Sequence, residues 1–238
     1  MSDSEQLAIL RLGAIAWNKW RKDNPDIRPD LANVDLANAD LERADLSEAD
    51  LHGANLAGSK LERADLTDAN LVGAVLERAN LERAKLVRVN LEGANLVKAS
   101  LERAKAVDAN LTKAELERAN LEWGNFAGST FEGANLTAAN LERANLKRAN
   151  LEGANLKRAN LEGANLTNAR LSGAVINEKT KTKDVRGVIV GASGLVPEQA
   201  SGNQRASRKI IGISLVSIFF GLLLFGVFRM IGSRGKGR

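Results

Sequence analysis

Glutamates recur in this sequence at a spacing of twenty residues, and a pair of carboxylates is the usual acid and base for cleaving a glycosidic bond. Arginine directly follows five of the seven glutamates. Like charges one β-strand spacing apart in water repel by only about 1 kcal/mol, so such a column is tolerated at a surface. We therefore interpret the glutamates as a solvated charge ladder rather than as catalytic groups. The seven are Glu42, Glu62, Glu82, Glu102, Glu122, Glu142 and Glu162.

Other residue types that catalysis or metal binding requires are scarce. The chain has one histidine, His52, and no cysteine, which excludes disulfide bonds and thiolate metal sites. His52 follows a leucine of the repeat described below, so its side chain is predicted to face solvent. The sequence contains no phosphate-binding glycine loop and no Gly-Gly-x-Gly-x-Asp calcium repeat. The sequence therefore predicts a protein that is not an enzyme and that has no catalytic, cofactor-binding or metal site.

A five-residue repeat fills the middle of the chain. Leucine, or a residue in its place, stands at every fifth position in thirty successive units from Leu31 to Ile176. A five-residue step rotates an α-helix by about 140°, and on one straight strand it alternates sides, so neither element gives the leucines a common face. Alanine stands two residues before the centre in 24 units. Both side chains share a side if the chain bends between units, so the repeat predicts a coil.

The variable positions indicate how many units close one turn of this coil. The glutamates recur every twenty residues, and a series of glycines has the same spacing, broken only by Lys113. Residues stacked in neighbouring coils share their surroundings, so this spacing predicts four units per coil. Thirty units then make about 7.5 coils and a rod roughly 36 Å long. The glycines are Gly53, Gly73, Gly93, Gly133, Gly153 and Gly173.

The unit Ala-(Asn/Asp)-Leu-x-x, repeated as in ANLKRANLEGANLKRANLEG, resembles the pentapeptide repeat family over residues 31–177. This resemblance implies an all-β solenoid, a right-handed quadrilateral parallel β-helix, with the central residue and the residue two before it inside. Some family members mimic DNA with strongly acidic surfaces and inhibit DNA gyrase. Residues 31–177 hold 18 basic and 21 acidic groups, interleaved, which argues against mimicry of DNA, and we expect no direct binding of nucleic acid. The nearest feature is the run Asp30, Asp35, Asp40, Asp45 and Asp50.

Both ends of the solenoid are predicted to carry helical segments. A helix from residue 2 to 22 begins with a Ser2–Glu5 capping box, and residues 1–28 form an N-terminal cap for the repeats at 29–177. Residues 178–209 are predicted to be a C-terminal cap and basic linker. Within them, residues 191–199 resemble a sequence that is common at the end of the repeats in this family. This resemblance implies one degenerate repeat unit and a helix starting at Pro197. The apolar face of the first helix holds Leu7, Leu10, Trp17 and Trp20, and its other apolar residues are Leu12 and Ile15.

A hydrophobic segment near the carboxyl end predicts a membrane anchor. Residues 210–228, which begin with Ile210 and end with Phe228, contain no charged residue. As a helix they span about 28 Å, close to the thickness of a bilayer core. We expect a transmembrane helix over 210–231, a basic tail at 232–238, and a lipid bilayer as partner. The amino terminus has no secretory signal, which favours a single-pass membrane protein with a cytoplasmic rod. Ser217 and Gly221 have the spacing of helix-pairing residues, which leaves a homo-oligomer open.

Departures from the repeat mark candidate sites of partner contact. Trp123 stands where the stacked units have arginine, and Gly163 interrupts the same column. Phe126 falls one coil from Ala106 and is also explained by packing, since small residues precede it and Phe131. We predict a non-catalytic scaffold without cofactors, anchored in a membrane, that binds an unknown protein partner, with Trp123 and Phe126 as the candidate contacts. The alternative function is an inhibitor or mimic that acts on a nucleic-acid enzyme such as DNA gyrase.

Overall fold

The repeats form a solenoid in which each coil pairs with the next. The computed structural model describes residues 3–187. Twenty-eight parallel β-bridges run along the stack, beginning with Asp30 and Asp50, and all but the last two join residues twenty apart. Four five-residue units therefore complete each coil, as the spacing of the glutamates predicts. Within residues 3–187 the sides of the coil are single-residue bridges rather than extended strands, because a two-residue turn occupies part of every unit.

The interior of the coil is built from the two apolar positions of the unit. All thirty central residues from Leu31 to Ile176 are buried, and none is more than 3% exposed. Almost all the alanines two residues before them are buried as well. Removing this much apolar surface from water is the main force that closes the coil. The predicted inward positions of the repeat are confirmed.

Backbone hydrogen bonds between coils connect the stack. Leu81 N–H donates to the Ser100 carbonyl at 2.7 Å, and Arg83 N–H to that of Glu102 at 2.9 Å, both one coil further on. Asn80 N–H donates in the opposite direction, to the Ser59 carbonyl at 2.9 Å. The same three bonds recur in most units, so the coils satisfy most of each other's polar backbone groups.

The corners of the coil use a left-handed backbone at the second residue after each centre. From residue 33 to residue 173 this position has a positive φ in every unit, and most of the residues there are not glycine. Arginine is the commonest of them, with φ between 54° and 63°, although this region favours glycine and asparagine. Burial of the inward side chains before and after each corner therefore outweighs the backbone preference of the residue at the corner.

The amino-terminal cap consists of two helices, α1 (Asp3–Arg11) and α2 (Ala14–Asp23), instead of the single helix predicted. Gly13 has a φ of 98° and separates them, because a left-handed residue cannot continue a right-handed helix. Leu10, Trp17 and Trp20 are buried against the first coil, whereas Leu12 and Ile15 are 77% and 91% exposed. Ser2 of the predicted capping box lies outside the described residues.

The coil extends beyond its predicted boundary at residue 177. Asn160 pairs with Lys181 and Asn165 with Arg186, which is a spacing of twenty-one residues. The extra residue is accommodated in a turn at 177–180, where Thr180 N–H donates to the Asn177 carbonyl at 2.9 Å. The predicted boundary at 177 is therefore wrong. The leucine repeat stops there, but the backbone continues to pair with the preceding coil as far as Arg186.

The remaining carboxyl-terminal predictions lie outside the described residues. They are the degenerate unit at 191–199, the helix starting at Pro197, the transmembrane helix over 210–231 and the basic tail at 232–238. Among residues 3–187, neither helix is long and apolar enough to cross a bilayer.

Candidate interaction surface around Trp123

The groups with catalytic potential are dispersed at the surface of the solenoid. His52 is half-exposed, and its Nδ1 lies 2.9 Å from Asp50 Oδ1. In the part of the chain that the structure describes, no cluster of His, Asp or Glu is arranged to hold a metal ion. Two departures from the repeat, Trp123 and Gly163, do come together, since both line one groove of the rod surface.

The column of glutamates lies at the surface, as predicted. Four of its members pair with the arginine that follows them, as in Glu82 Oε1 at 3.5 Å from Arg83 Nε and Glu142 Oε1 at 3.9 Å from Arg143 Nε. Asparagines of the next coil also hold the carboxylates, since Asn140 Nδ2 donates to Glu122 Oε2 at 3.1 Å. Six of the seven glutamates are therefore held at the surface by an arginine or an asparagine neighbour.

Trp123 replaces arginine in the neighbouring column and remains 46% exposed. The guanidinium of Arg143, one coil further on, lies over its ring with Cζ 4.7 Å from the ring centroid. This distance is typical of a cation–π interaction. Trp123 is therefore fixed in place by Arg143 on one side while the rest of its ring faces solvent.

A shallow groove of about 730 Å³ runs from Trp123 toward the carboxyl end of the stack. Gly163 lies one coil beyond Arg143, and a Cβ at Gly163 would meet Arg143 Cγ at 3.2 Å. The missing side chain leaves the space that a sixth arginine of the column would fill. The groove is lined by Trp123, Glu142, Arg143, Ala144, Asn145, Glu162, Gly163, Asn165, Lys183, Asp184 and Arg186.

The sequence identified part of this surface. Trp123 and Gly163 were found as departures from a column of arginines. The upper wall, formed by Lys183, Asp184 and Arg186, was missed. The extra residue at 177–180 shifts these side chains by one position, so counting in steps of twenty places them in the wrong columns.

Comparison with known proteins agrees with the geometry of the coil. The family model for pentapeptide repeats matches in eight copies, over segments that together run from residue 30 to residue 173. The chain is 30% identical to HetL, a pentapeptide repeat protein involved in heterocyst differentiation regulation in the cyanobacterium Nostoc sp. strain PCC 7120, and the match covers 73% of this chain and 94% of HetL. The chain belongs to the pentapeptide repeat family.

Other solved structures of pentapeptide repeat proteins are more distant or shorter matches. A thylakoid lumen protein of Arabidopsis thaliana is 35% identical over 40% of this chain and 66% of its own, with a TM-score of 0.39. The fluoroquinolone resistance protein QnrB1 is 17% identical over 67% of this chain and 79% of its own, also with a TM-score of 0.39, and the TM-score for HetL is 0.33. No curated protein matches the chain. Members of the family form right-handed β-helices and are in general non-catalytic structural or interaction proteins.

Phe126 does not belong to the interaction surface of this pentapeptide repeat protein. Its side chain is fully buried and contacts Phe131 edge to face, with ring centroids 5.6 Å apart. A Cβ at Gly124 would overlap the Phe126 ring, so glycine replaces the alanine of the family unit to make room for it. The predicted partner contact at Phe126 is therefore wrong, and the packing interpretation is confirmed.

A second departure, Ser129, repairs the backbone beside Phe126. Its hydroxyl donates to the Ala106 carbonyl and accepts from the Ala109 N–H at 3.0 Å, one coil earlier. In other units, such as Leu101 to Ala104, the corresponding carbonyl and N–H bond each other directly at 3.0 Å. In the unit centred on Ala106, the Ser129 hydroxyl thus takes the place of this direct bond and bridges the Ala106 carbonyl and the Ala109 N–H.

The run of aspartates in the first coils begins the asparagine ladders of the family unit. In later coils Asn70 Nδ2 donates to Asp50 Oδ1 and Asn55 Nδ2 to Asp35 Oδ1, both at 2.9 Å and one coil earlier. The first coil has no coil before it to accept such a bond. Aspartate has no donor to leave unpaired, and its Oδ1 still accepts a nearby backbone N–H, as Asp35 does from Ala37 at 3.1 Å.

Two ion pairs link neighbouring coils and shift the ionisation of their members. Burial raises the pKa of Asp65, but hydrogen bonds from Thr67 and Lys85 outweigh it, so the pKa of Asp65 is lowered overall. The Lys85 Nζ lies 2.9 Å from Asp65 Oδ2, and this bond raises the pKa of Lys85. The Arg88 guanidinium, with Nε 2.7 Å from Asp68 Oδ1, lowers the pKa of Asp68. Both pairs join residues twenty apart in the chain, so these contacts hold neighbouring coils together.

Proposed function

We propose that this pentapeptide repeat protein is a membrane-anchored, non-catalytic scaffold whose rod binds a protein partner at the surface around Trp123. The observation that supports the proposal is the exposed Trp123 ring, held by Arg143 beside the groove that Gly163 leaves open. Tryptophan and arginine are the side chains that most often dominate the energy of protein interfaces.

The fold itself gives no reason for tryptophan at this position. Trp123 has a φ of 57°, a backbone region that bulky residues rarely adopt, and its ring makes no contribution to the filled interior. Arginine satisfies the same corner in the coils on either side, at Arg103 and Arg143. A residue that is unfavourable for the backbone and dispensable for the core fits a role in binding.

The chemistry of the groove indicates the kind of protein segment that it accepts. Its cations are Arg143, Lys183 and Arg186, and its anions are Glu142, Glu162 and Asp184. The charges balance, so neither a nucleic acid nor a polyanionic peptide is favoured. A segment with an apolar side chain for the Trp123 ring, flanked by charges of both signs, complements the surface.

Photo-crosslinking in the cell tests the partner surface. A photoreactive amino acid at Glu162, in the groove, is expected to give a discrete protein adduct, whereas the same amino acid at Glu132, outside it, is not. Trp123→Arg, which restores the arginine of the column, should abolish the adduct, and Val72→Ala, at another exposed apolar side chain, should leave it unchanged. Equal adducts from both positions, or an adduct that survives Trp123→Arg, would rule out this surface.

The membrane part of the proposal is supported by the sequence of residues 210–228, which lie outside the described residues. A helix of nineteen uncharged residues has the length of a bilayer core. We expect the full chain to remain in the membrane fraction after alkaline carbonate extraction, and Leu223→Arg, which places a charge inside the segment, to release it. Leu12→Arg, at an exposed position of the cap, is the matched control and should not. Extraction of the unaltered chain would contradict the anchor.

The side of the membrane is tested by protease accessibility. We propose that the rod lies on the cytoplasmic side of the membrane. Protease added to intact cells should then leave the repeat rod whole and should degrade it only after the membrane is opened. Degradation of the rod in intact cells would place it on the outside.

Inhibition of a nucleic-acid enzyme such as DNA gyrase is the second candidate function. The observation that favours it is the concentration of acid in the first coils, where residues 30–69 hold ten acidic and three basic groups. A supercoiling assay with purified gyrase tests it. We expect no inhibition of gyrase at an equimolar concentration of this protein. If the protein does inhibit, and if the inhibition is lost when Asp35, Asp40 and Asp50 are changed to asparagine, this second function would replace the scaffold proposal.

A further inference from the structure

Charge is graded along the rod from one end to the other. Residues 30–69 hold ten acidic and three basic groups, and residues 70–144 hold ten of each. Residues 145–187 hold four acidic and nine basic groups. The coils stack in chain order, so these counts are also positions along the axis. The rod is therefore negative at its amino-terminal end and positive at its carboxyl-terminal end.

The cations of the positive end form a set that we term the basic collar, and all nine are exposed. Between residues 70 and 144, seven of the ten cations form an ion pair. Among the described residues, only Arg170 of the basic collar does so, with Glu152 Oε2 at 2.8 Å from its NH2 group. The members are Lys147, Arg148, Lys157, Arg158, Arg170, Lys179, Lys181, Lys183 and Arg186.

The basic collar surrounds the rod instead of lining one face. Lys147 and Lys157 belong to units two apart in a coil of four, so they lie on opposite sides. Lys181 pairs with Asn160 and Arg170 pairs with Asn150, which places these two cations on the two remaining sides. A ring of cations suits contact of the end of the rod with an extended anionic surface better than it suits a small anion, which needs convergent donors.

We propose that the basic collar binds anionic phospholipid headgroups and holds the carboxyl-terminal end of the rod against the membrane. This step rests on the proposed anchor, because residues 188–209 connect the end of the described coil to the hydrophobic segment. Twenty-two residues reach at most about 75 Å even when fully extended, so the anchor tethers the rod to the membrane by the end that carries the basic collar. The negative coils are repelled by the same surface, so the rod stands with its capped end away from the membrane.

Differential acylation of lysines on the full chain tests this orientation. The chain is reconstituted into vesicles of phosphatidylcholine alone or mixed with phosphatidylglycerol, and each lysine is labelled with an amine-reactive ester and quantified by mass spectrometry. We expect Lys147, Lys157 and Lys181 to react at least threefold more slowly in the anionic vesicles. Lys98 and Lys105, exposed in the middle coils, serve as internal references and should react equally in both. High salt should remove the protection by screening.

Two matched variants separate the basic collar from charge in general. One changes Lys147, Arg148, Lys157 and Arg158 to glutamine, and the other changes Lys98, Lys105, Lys113 and Arg118. Both remove four positive charges from exposed positions, but only the first should abolish the protection of Lys181 and Lys183. Equal rates in neutral and anionic vesicles, or equal effects of the two variants, would overturn the proposal.

The outcomes distinguish this proposal from the anchor and from binding of nucleic acid. If the chain fails to insert into neutral vesicles, the anchor is wrong, yet salt-sensitive protection by added anionic vesicles still supports the basic collar. If the chain inserts but its lysines are not protected, the basic collar proposal alone fails. Stronger protection by a short DNA duplex than by anionic vesicles would assign the basic collar to nucleic acid and would also overturn it.

Discussion

At the residue scale, two buried serines show that a hydroxyl group in the interior stabilises the fold only where it has hydrogen-bond partners. Ser59 and Ser129 both replace the inward alanine and are both fully buried. Ser129 bridges the Ala106 carbonyl and the Ala109 N–H, whereas the Ser59 hydroxyl has no hydrogen-bond partner. The same residue type at equivalent positions is therefore favourable in one unit and unfavourable in another.

We expect opposite effects when each serine is replaced by the alanine of the family unit. Ser59→Ala removes an unpaired buried hydroxyl and should raise the free energy of unfolding by about 1 kcal/mol. Ser129→Ala leaves an opened turn without its bridge and should lower it by about 1–2 kcal/mol. Urea denaturation of both variants checks this, and shifts of the same sign would contradict the assigned hydrogen bonds.

Gly124 and Phe126 are predicted to be energetically coupled. Gly124→Ala places a Cβ against the Phe126 ring and 3.0 Å from the Leu121 carbonyl, so overpacking should lower stability by about 1–3 kcal/mol. Phe126→Leu makes room for this Cβ. The double variant, which restores the common Ala-Asn-Leu unit, should be more stable than the sum of the single effects by at least about 1 kcal/mol. Additive effects in denaturation would show that the two side chains do not share this space.

Asp65 gives the rod a stability that depends on pH. Its pKa is lower in the folded chain than the ordinary value near 4, so its contribution is present above about pH 4 and is lost as pH falls through the folded pKa. Asp65→Asn should therefore be less stable than the parent chain at pH 7, by roughly 0.5–1 kcal/mol, and the gap should close in acid. Lys85→Gln removes the partner and should reduce the same pH dependence. A gap that is constant from pH 7 to acid would contradict the pair.

At the scale of elements, the cap works by supplying the hydrogen bonds of a missing coil. Trp17 Nε1 donates to the Asp45 carbonyl at 2.7 Å, and the Asn18 amide both donates to the Arg43 carbonyl and accepts the Asp45 N–H. Arg21 NH2 donates to the Ser47 carbonyl at 3.0 Å, and Gln6 accepts the Asp30 N–H at 2.9 Å. Apart from the Arg43 carbonyl, these backbone groups would pair with a preceding coil if one existed, so side chains of the cap close the open edge.

Asn18→Ala should expose this edge without disturbing the helix that carries it. The change leaves the Asp45 N–H without its acceptor and should lower stability by about 1–2 kcal/mol. Lys19→Ala, at the next and exposed position of α2, is the control and should be nearly neutral. Hydrogen exchange measured by mass spectrometry should be faster in the first two coils of Asn18→Ala and unchanged in the last two. Uniform acceleration along the rod would indicate that the edge is not closed locally.

The elements also show what the sequence can and cannot predict. The five-residue period predicts the core and the four-unit coil, because inward positions repeat and any slip would bury polar groups. It fails at the ends, where the period stops. The break at Gly13 and the extra residue at 177–180 are single local events, and the pairing at Lys181 and Arg186 has no leucine to mark it. The sequence predicts only part of the groove beside Trp123, because Lys183, Asp184 and Arg186 come after the one-residue shift in register.

At the scale of the whole molecule, each coil contacts only its neighbours, so the stability of the rod is a sum of local interfaces along one axis. A buried charge in the middle of the stack should therefore interrupt the rod instead of weakening it evenly. Leu91 is 1% exposed and lies near the centre, while Glu92 beside it is exposed. The two positions are adjacent in the chain but differ in which side of the coil they occupy.

Leu91→Asp should destabilise the protein by more than about 4 kcal/mol, because it buries an unpaired carboxylate among apolar side chains. Glu92→Ala should change stability by less than about 0.5 kcal/mol, since it removes only an exposed carboxylate with one long contact to Asn110 at 3.4 Å. Thermal denaturation compares the two, and hydrogen exchange locates the effect. Protection should be lost first in the coils on both sides of Leu91→Asp and should persist longest in the capped coils, which retain their own closing bonds. Equal melting temperatures would contradict the inward and outward assignment on which the solenoid depends.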